Sequence, residues 1–222
     1  MLSPIFQLYT PSSLGLKASA FTVHGLRNHS WTPILLARLH ELRQSVDVQA
    51  SMRWVDSFNR LRQRQGRSAK RFPASPCALL DQLLRLGELR RISPVVDLYN
   101  HWSLSTGLSI GAHDLRHIAL PVRLDISRGH EHFHPLGAEQ NMTLAEGEYA
   151  YFDANQQVIC RMDYRQCAVS ALQAESQEAL FIVQGHPDTS TAELQQCVHG
   201  LKADLTRLCS NLNPTQTACS QD

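Results

Sequence analysis

No apolar run in this 222-residue sequence reaches the roughly 18 to 20 residues that a membrane span needs. The opening "MLSPIFQLYTPSSLGL" has no basic start ahead of its modest apolar patch, so neither a secretory leader nor an anchor is expected. The six cysteines include no C-x-x-C pair, and their spacings fit no zinc pattern. They read as reduced thiols, and the expected location is cytoplasmic. Charge is sparse as well: charged residues make up 18% and the formal net charge is +1, which excludes a disordered chain and a globally basic nucleic-acid binder. There is no Gly-x-Ser-x-Gly elbow, Walker loop, dinucleotide fingerprint or His-Glu-x-x-His, so the common nucleophile, nucleotide and zinc-protease classes lose weight.

The charge that is present is unevenly placed. Between Arg53 and Arg91 ten basic residues face three acids, whereas from Glu131 to the end twelve acids face four basic residues. A basic stretch of this kind gains affinity for phosphates by releasing their counterions, or else it forms the solvated faces of helices.

The first half reads as helical. "TPILLARLHELRQSV" starts at Thr32-Pro33, with Ile34, Leu35, Leu39 and Leu42 near helical spacing. "SMRWVDSFNRLRQRQG" repeats the logic with Trp54, Val55, Phe58 and Leu61, stopping at Gly66. In "SPCALLDQLLRLG" Ser75 is the expected cap, Pro76 takes the first position and Gly87 the stop. After Ile118 the pattern turns to strands: "IALPVRLDIS", "EYAYFDANQQVICRMDY" with a turn at Asp153-Ala154-Asn155, and the buried run "ALFIVQG". A helix from about Ser190 to Leu208 follows. Helices first and strands later predict an α+β fold, a mixed or antiparallel sheet packed with helices. The expected divisions are a helical extension over 1–70 integrated with the core, a main domain over 71–212 and a flexible tail over 213–222.

Four stretches carry candidate chemistry. In "SPVVDLYNHWSLSTG" a helix from Ser93-Pro94 puts Asp97 and Asn100 on a shared face, where a carboxylate and an amide either orient a small polar ligand or make a helix-side hydrogen bond. "TGLSIGAHDLRH" reads as a loop with Gly107 as a helix stop, Gly111 where backbone can approach a ligand, and the pair His113-Asp114, which is either a site or a capped surface turn. "RGHEHFHP" spaces His130, His132 and His134 by two, so that on a strand adjacent pairs share a face and a metal-dependent hydrolase becomes one reading. "CRMDYRQC", if extended, lines Arg161, Asp163 and Arg165 along one face, either paired among themselves or open to a phosphate.

Residues about 74 to 183 resemble the stand-alone B3/B4 proteins related to the editing module of the bacterial phenylalanyl-tRNA synthetase β chain. The resemblance is carried by "SPCALLDQLL", "ISPVVDLYNHWSLSTGLSIGAHDLRHI", "GHEHFHPLG" and "GEYAYFDANQQVICRMDYRQC" leading into "ALFIVQG". It implies an α+β fold that binds a tRNA acceptor end and, as in the synthetase module, hydrolyses the ester of a wrongly attached amino acid without metal or cofactor. Asn100, Gly107 and Asp114 fall on the synthetase pattern, and Arg165 and Gln166 on the motif of the stand-alone relatives, where Met162 and Tyr164 replace tryptophans. The histidine of the synthetase loop is Gly111 here, and its late acidic residue is Ile182 or Val183. On this reading Asn100, with backbone amides near Gly111, orients the ester, His113 or Asp114 steers the water, and Arg161, Arg165 and Gln166 with Asp97 complete the substrate and RNA contacts. The missing histidine leaves open a binding module that captures tRNA or a small amino-acid-like ligand without chemistry.

Overall fold

The computed structural model describes residues 4–211; Cys219 and the tail anticipated at 213–222 lie outside them. The chain is α+β, with a three-stranded and a five-stranded sheet as its main layers. Strands β1 (Phe6–Leu8) and β2 (Ala18–Val23) come first, then helices α1 (Pro33–Gln44), α2 (Val48–Arg64), α3 (Ser75–Leu86) and α4 (Pro94–Thr106). Strands β3 (Ser109–Asp114), β4 (Val122–Ile126), β5 (His132–Phe133), β6 (Met142–Thr143), β7 (Tyr149–Phe152), β8 (Val158–Arg161), β9 (Arg165–Gln166) and β10 (Ala179–Gln184) follow, and α5 (Thr191–Cys209) is the last helix described. Two strands therefore precede the expected helices. Both are integrated: β1 pairs in parallel with β4 at an edge of the larger sheet, and β2 pairs antiparallel with β10 in the smaller.

The smaller sheet runs β2-β10-β3 and has β10 at its centre. All six β10 residues are buried because both faces are covered. Phe181 and Val183 point to one core with Phe21, Val23, Ile110 and Ala112, filled from α1, α4 and α5 by residues such as Leu35, Leu98 and Leu201. Leu180 and Ile182 point to the other, with Val122, Leu124, Tyr151 and Ile159 of the larger sheet and Phe58 and Leu61 of α2. This alternation decides which side chains meet between the sheets.

The helices begin and end on local signals. Thr32 accepts from Leu35 N at 3.2 Å and Asp47 from Ala50 N at 3.0 Å, while Ser190 and Glu193 form a reciprocal capping box. Ser75 departs from expectation. Ala74 is the cap position of α3, and the Ser75 hydroxyl instead lies 2.7 Å from that of Ser109. At α4 the Ser93 side chain makes no cap bond; Val95 N donates to Asn28 Oδ1 at 3.1 Å.

Gly87 and Gly107 both end helices with left-handed backbone, φ 75° and 68°. They differ in surroundings. A Cβ at Gly87 meets nothing within 4 Å, whereas one at Gly107 falls 2.3 Å from the Trp54 ring. Gly107→Ala is expected to destabilise the protein by more than about 2 kcal/mol in urea unfolding, against about 1 kcal/mol for Gly87→Ala, which carries the backbone strain alone. Equal losses would show that Trp54 does not seal this turn.

Candidate functional site

Between the two main sheets lies a cleft with about 660 Å³ of empty space, its mouth included. Ser109, Gly111 and His113 of β3, Gln184 of β10, Tyr151 of β7 and Gln166 of β9 line it, with Asn100 of α4 and the turn Met162–Tyr164 at its sides. Of the residues anticipated from sequence, Asn100, Gly111, His113, Arg165 and Gln166 converge here.

The convergence follows from the pleat. The stretch anticipated as a loop is the strand β3, paired along its length with β10. Successive side chains of a strand alternate, so Ser109, Gly111 and His113 share the cleft face while Ile110, Ala112 and Asp114 take the other. A Cβ at Gly111 would meet nothing within 4 Å, so that position opens directly onto the cleft.

His113 is buried, and its Nδ1 lies 2.9 Å from Ser170 Oγ. No other described residue bonds to its ring. Burial lowers its pKa to about 3, so the imidazole is neutral near pH 7 and carries one donor and one acceptor nitrogen. Asn100 is half-buried, and its amide makes no hydrogen bond to any described residue. Gln166 donates to Ala112 O at 2.7 Å and ties β9 to β3. Arg165 is exposed at the rim, its guanidinium 5.3 Å from the Tyr164 ring centre. Cys160 faces the same space, but burial, with the charge of Asp163, pushes its thiol well above the ordinary value, so it supplies no thiolate nucleophile at neutral pH.

Three anticipated residues lie elsewhere. Asp114 accepts from Arg116 N at 2.9 Å and Arg116 Nη2 at 2.7 Å, and Ser176 donates to it. Burial raises its pKa, but these partners outweigh burial and hold it at about 2, so it caps a turn as a fixed anion. Asp97, one helical turn before Asn100, accepts from Trp31 Nε1 and Ile92 N, each at 2.8 Å, and fixes the entry to α4. Arg161 donates to both oxygens of Glu148 and stacks 4.7 Å over Phe72, in a neighbouring recess.

The extended row expected in "CRMDYRQC" is not formed. Met162 adopts φ 49°, and the chain turns back so that Arg161 pairs with Arg165 across a hairpin. The turn sends Asp163 inward to a buried ion pair with Arg62. Sequence reasoning thus missed Asp163 as a cleft residue, together with Ser75, Ser109, Tyr151 and Gln184. For Ser109 and Gln184 the signal was available: each is a polar residue in step with neighbours that face the same side of a strand.

The histidine row is also not realised. His132, on a strand only two residues long, pairs with Thr143 Oγ1 at 2.9 Å, and His134, beyond that strand, with Asn141 Oδ1 at 3.1 Å. Among the described residues no group of three or more His, Cys, Asp or Glu is placed to hold a metal, and no helix is long and apolar enough to cross a membrane. Cys77, Cys160, Cys167, Cys197 and Cys209 are free thiols.

An α+β protein with a polar cleft between two sheets is the class that these features define. The chain belongs to the B3/4 domain family, whose model matches residues 58–211. A crystal structure of an N-terminal fragment of the phenylalanyl-tRNA synthetase β-subunit from Pyrococcus horikoshii is similar at 13% identity and a TM-score of 0.49. The match covers 91% of this chain and 49% of that one, so the chain spans about half the length of the fragment. No curated protein matches in sequence.

The buried neutral imidazole has a thermodynamic signature. The unfolded chain binds the His113 proton below about pH 6.5 and the folded chain only near 3, so the stabilisation is complete above 6.5 and is lost as pH falls between those values. Stability measured by urea unfolding should fall over that window, and His113→Asn should make the fall shallower by about 1 kcal/mol per pH unit. An unchanged slope would show that the ring already carries its proton in the folded protein.

Proposed function

We propose that the cleft receives the aminoacylated end of a tRNA and hydrolyses the ester of a wrongly attached amino acid, acting in trans in the cytoplasm. The observation that carries this reading is that Asn100, Gly111, His113, Arg165 and Gln166, drawn from three separate segments, meet at one cleft. An aminoacyl ester is already activated. A site that positions water and offers donors to the developing oxyanion accelerates its hydrolysis without a protein nucleophile.

The roles follow from what each group has free. The Asn100 amide has donors and an acceptor without partners among the described residues, and it orients the ester carbonyl or the amino group. Neutral His113, anchored at Nδ1 by Ser170, turns its other nitrogen to a water. With a pKa of about 3 it is a weak base, so it positions that water more than it deprotonates it. The steering role open to His113 or Asp114 rests on His113, because Asp114 is on the opposite face of β3 and ion-paired. Arg165 at the rim, with Arg67, Arg71 and Arg161 around the Phe72 ring of the adjoining recess, contacts phosphates.

The second reading is capture without chemistry, favoured by Gly111 in place of the synthetase-type histidine and by the weak basicity of His113. Incubation of the purified protein with a panel of mischarged tRNAs, following amino acid release, separates the two. Asn100→Ala should slow release by about 100-fold, the usual effect of removing one oriented donor. Gly111→Leu should fold, since a Cβ at this position meets nothing within 4 Å, and should abolish release by projecting into the cleft. Unchanged turnover in both variants would remove the assignment. Salt-sensitive tRNA binding without release would establish the capture reading.

A further inference from the structure

The recess beside the cleft holds more hydrogen-bond donors than the protein answers. It has about 360 Å³ of empty space, its mouth included, and Arg62, Arg67, Phe72, Tyr149, Arg161 and Tyr164 stand around it. Arg62 is neutralised by Asp163, and Arg67 and Arg161 share the carboxylate of Glu148 at 3.0 and 2.7 Å. Arg71 has no such answer. It is exposed, its guanidinium lies 5.4 Å from the centre of the Phe72 ring, and its side chain pairs with no carboxylate among the described residues. The hydroxyls of Tyr149 and Tyr164 likewise make no hydrogen bond to any described residue. A guanidinium only donates and a phenol donates readily, so the recess is short of acceptor oxygens. Positive charge in excess, with donors to match, defines an anion site.

Position narrows which anion. Met162 and Tyr164 line both the recess and the cleft, so one turn of chain separates the two. In an aminoacylated 3′ end the ester sits on the ribose of the last nucleoside, and the nearest anion is the phosphate on the 5′ side of that same ribose. The carboxylate of an amino acid or peptide has no such fixed relation to the ester. The donors also come from separate segments: Arg67 and Arg71 from the link between α2 and α3, Tyr149 from β7 and Tyr164 from the turn between β8 and β9. Approach from several sides suits the tetrahedral oxygens of a phosphate better than a planar carboxylate. Resting on the reading that the cleft holds the ester, we propose that the recess binds the phosphate joining the last two nucleotides, with Arg71 as its principal contact. The substrate class follows from this. An ester on a nucleoside carrying a 5′ phosphodiester is preferred over the same ester on a bare nucleoside, because the remote phosphate positions the ester in the cleft.

The test compares a panel of aminoacyl esters of adenosine with the same esters of adenosine 5′-methylphosphate, which adds a phosphodiester but no second base. Hydrolysis by the full chain gives the ratio of kcat/KM between the two. It should favour the phosphodiester by about 10-fold or more, the effect of one charge-assisted hydrogen bond. Arg71→Gln breaks no ion pair, so the variant should fold and lose most of that gain; an undiminished ratio overturns the assignment to Arg71. Arg85→Gln removes an equally exposed arginine of α3, paired with Asp81, and should leave the ratio unchanged. A similar fall in both variants marks unspecific attraction and overturns the subsite. Titration with unacylated adenosine and adenosine 5′-methylphosphate, followed by amide NMR shifts, keeps the two readings apart. Tighter binding of the phosphodiester, lost in Arg71→Gln, without release of any ester leaves the subsite standing and removes the hydrolysis. Release with a smaller ratio does the reverse. Inorganic phosphate that binds at the recess while the ratio stays near one assigns a free-anion site and overturns the proposal, as does the absence of both release and binding.

Discussion

The buried ion pair between Arg62 and Asp163 is the constraint on which the cleft depends. Both side chains are almost fully enclosed, at 3% and 0% exposure, so neither charge is solvated by anything but the other and its hydrogen bonds. Arg62 also donates to Phe72 O at 2.7 Å, and the main-chain oxygen of Asp163 accepts from Ser75 N at 2.9 Å. One pair of charges thus joins the end of α2, the start of α3 and the turn between β8 and β9. Removing either partner of such a pair generally costs about 3–5 kcal/mol, because a bare charge is left behind. The positive φ at Met162 accompanies the turn that brings Asp163 inward to Arg62.

The same pairing explains what becomes of the charge asymmetry along the chain. Arg60 meets Asp188, Arg62 meets Asp163 and Arg67 meets Glu148, so much of the basic stretch is answered by acids from the second half. The asymmetry is partly a folding code that brings distant segments together. What is left over for a polyanion is local. Arg67, Arg71 and Arg161 surround the Phe72 ring with centroid distances of 5.6, 5.4 and 4.7 Å, and Glu148 is the carboxylate that Arg67 and Arg161 share. This cationic recess adjoins the cleft through Met162 and Tyr164, which line both.

Function, on this view, resides in what the protein leaves unpaired. Asp97 and Asp114 were credible site residues by type and spacing, yet each is held by partners within the protein. Asn100 and the second ring nitrogen of His113 have no partner among the described residues, and both residues line one cleft. A neutral, anchored imidazole and an uncommitted amide thus share one cleft.

Helix positions and stops were legible from the sequence because they are local: Thr32-Pro33, Gly87 and Gly107 act within a few residues, although the cap expected at Ser75 falls on Ala74. The run at β10 and the hairpin about Asp153–Asn155 were legible for the same reason, as was the family resemblance in Asn100, Arg165 and Gln166. The short strands β1 and β2 were not, since their pairing with β4 and β10 supplies the reason for them to be strands. Only the tertiary structure decided that His113 faces the cleft and Asp114 does not, because that depends on β3 pairing with β10 and so being pleated rather than looped. It also decided that Asp163 turns inward, since the partner that makes a buried carboxylate affordable, Arg62, lies 101 residues away in the chain.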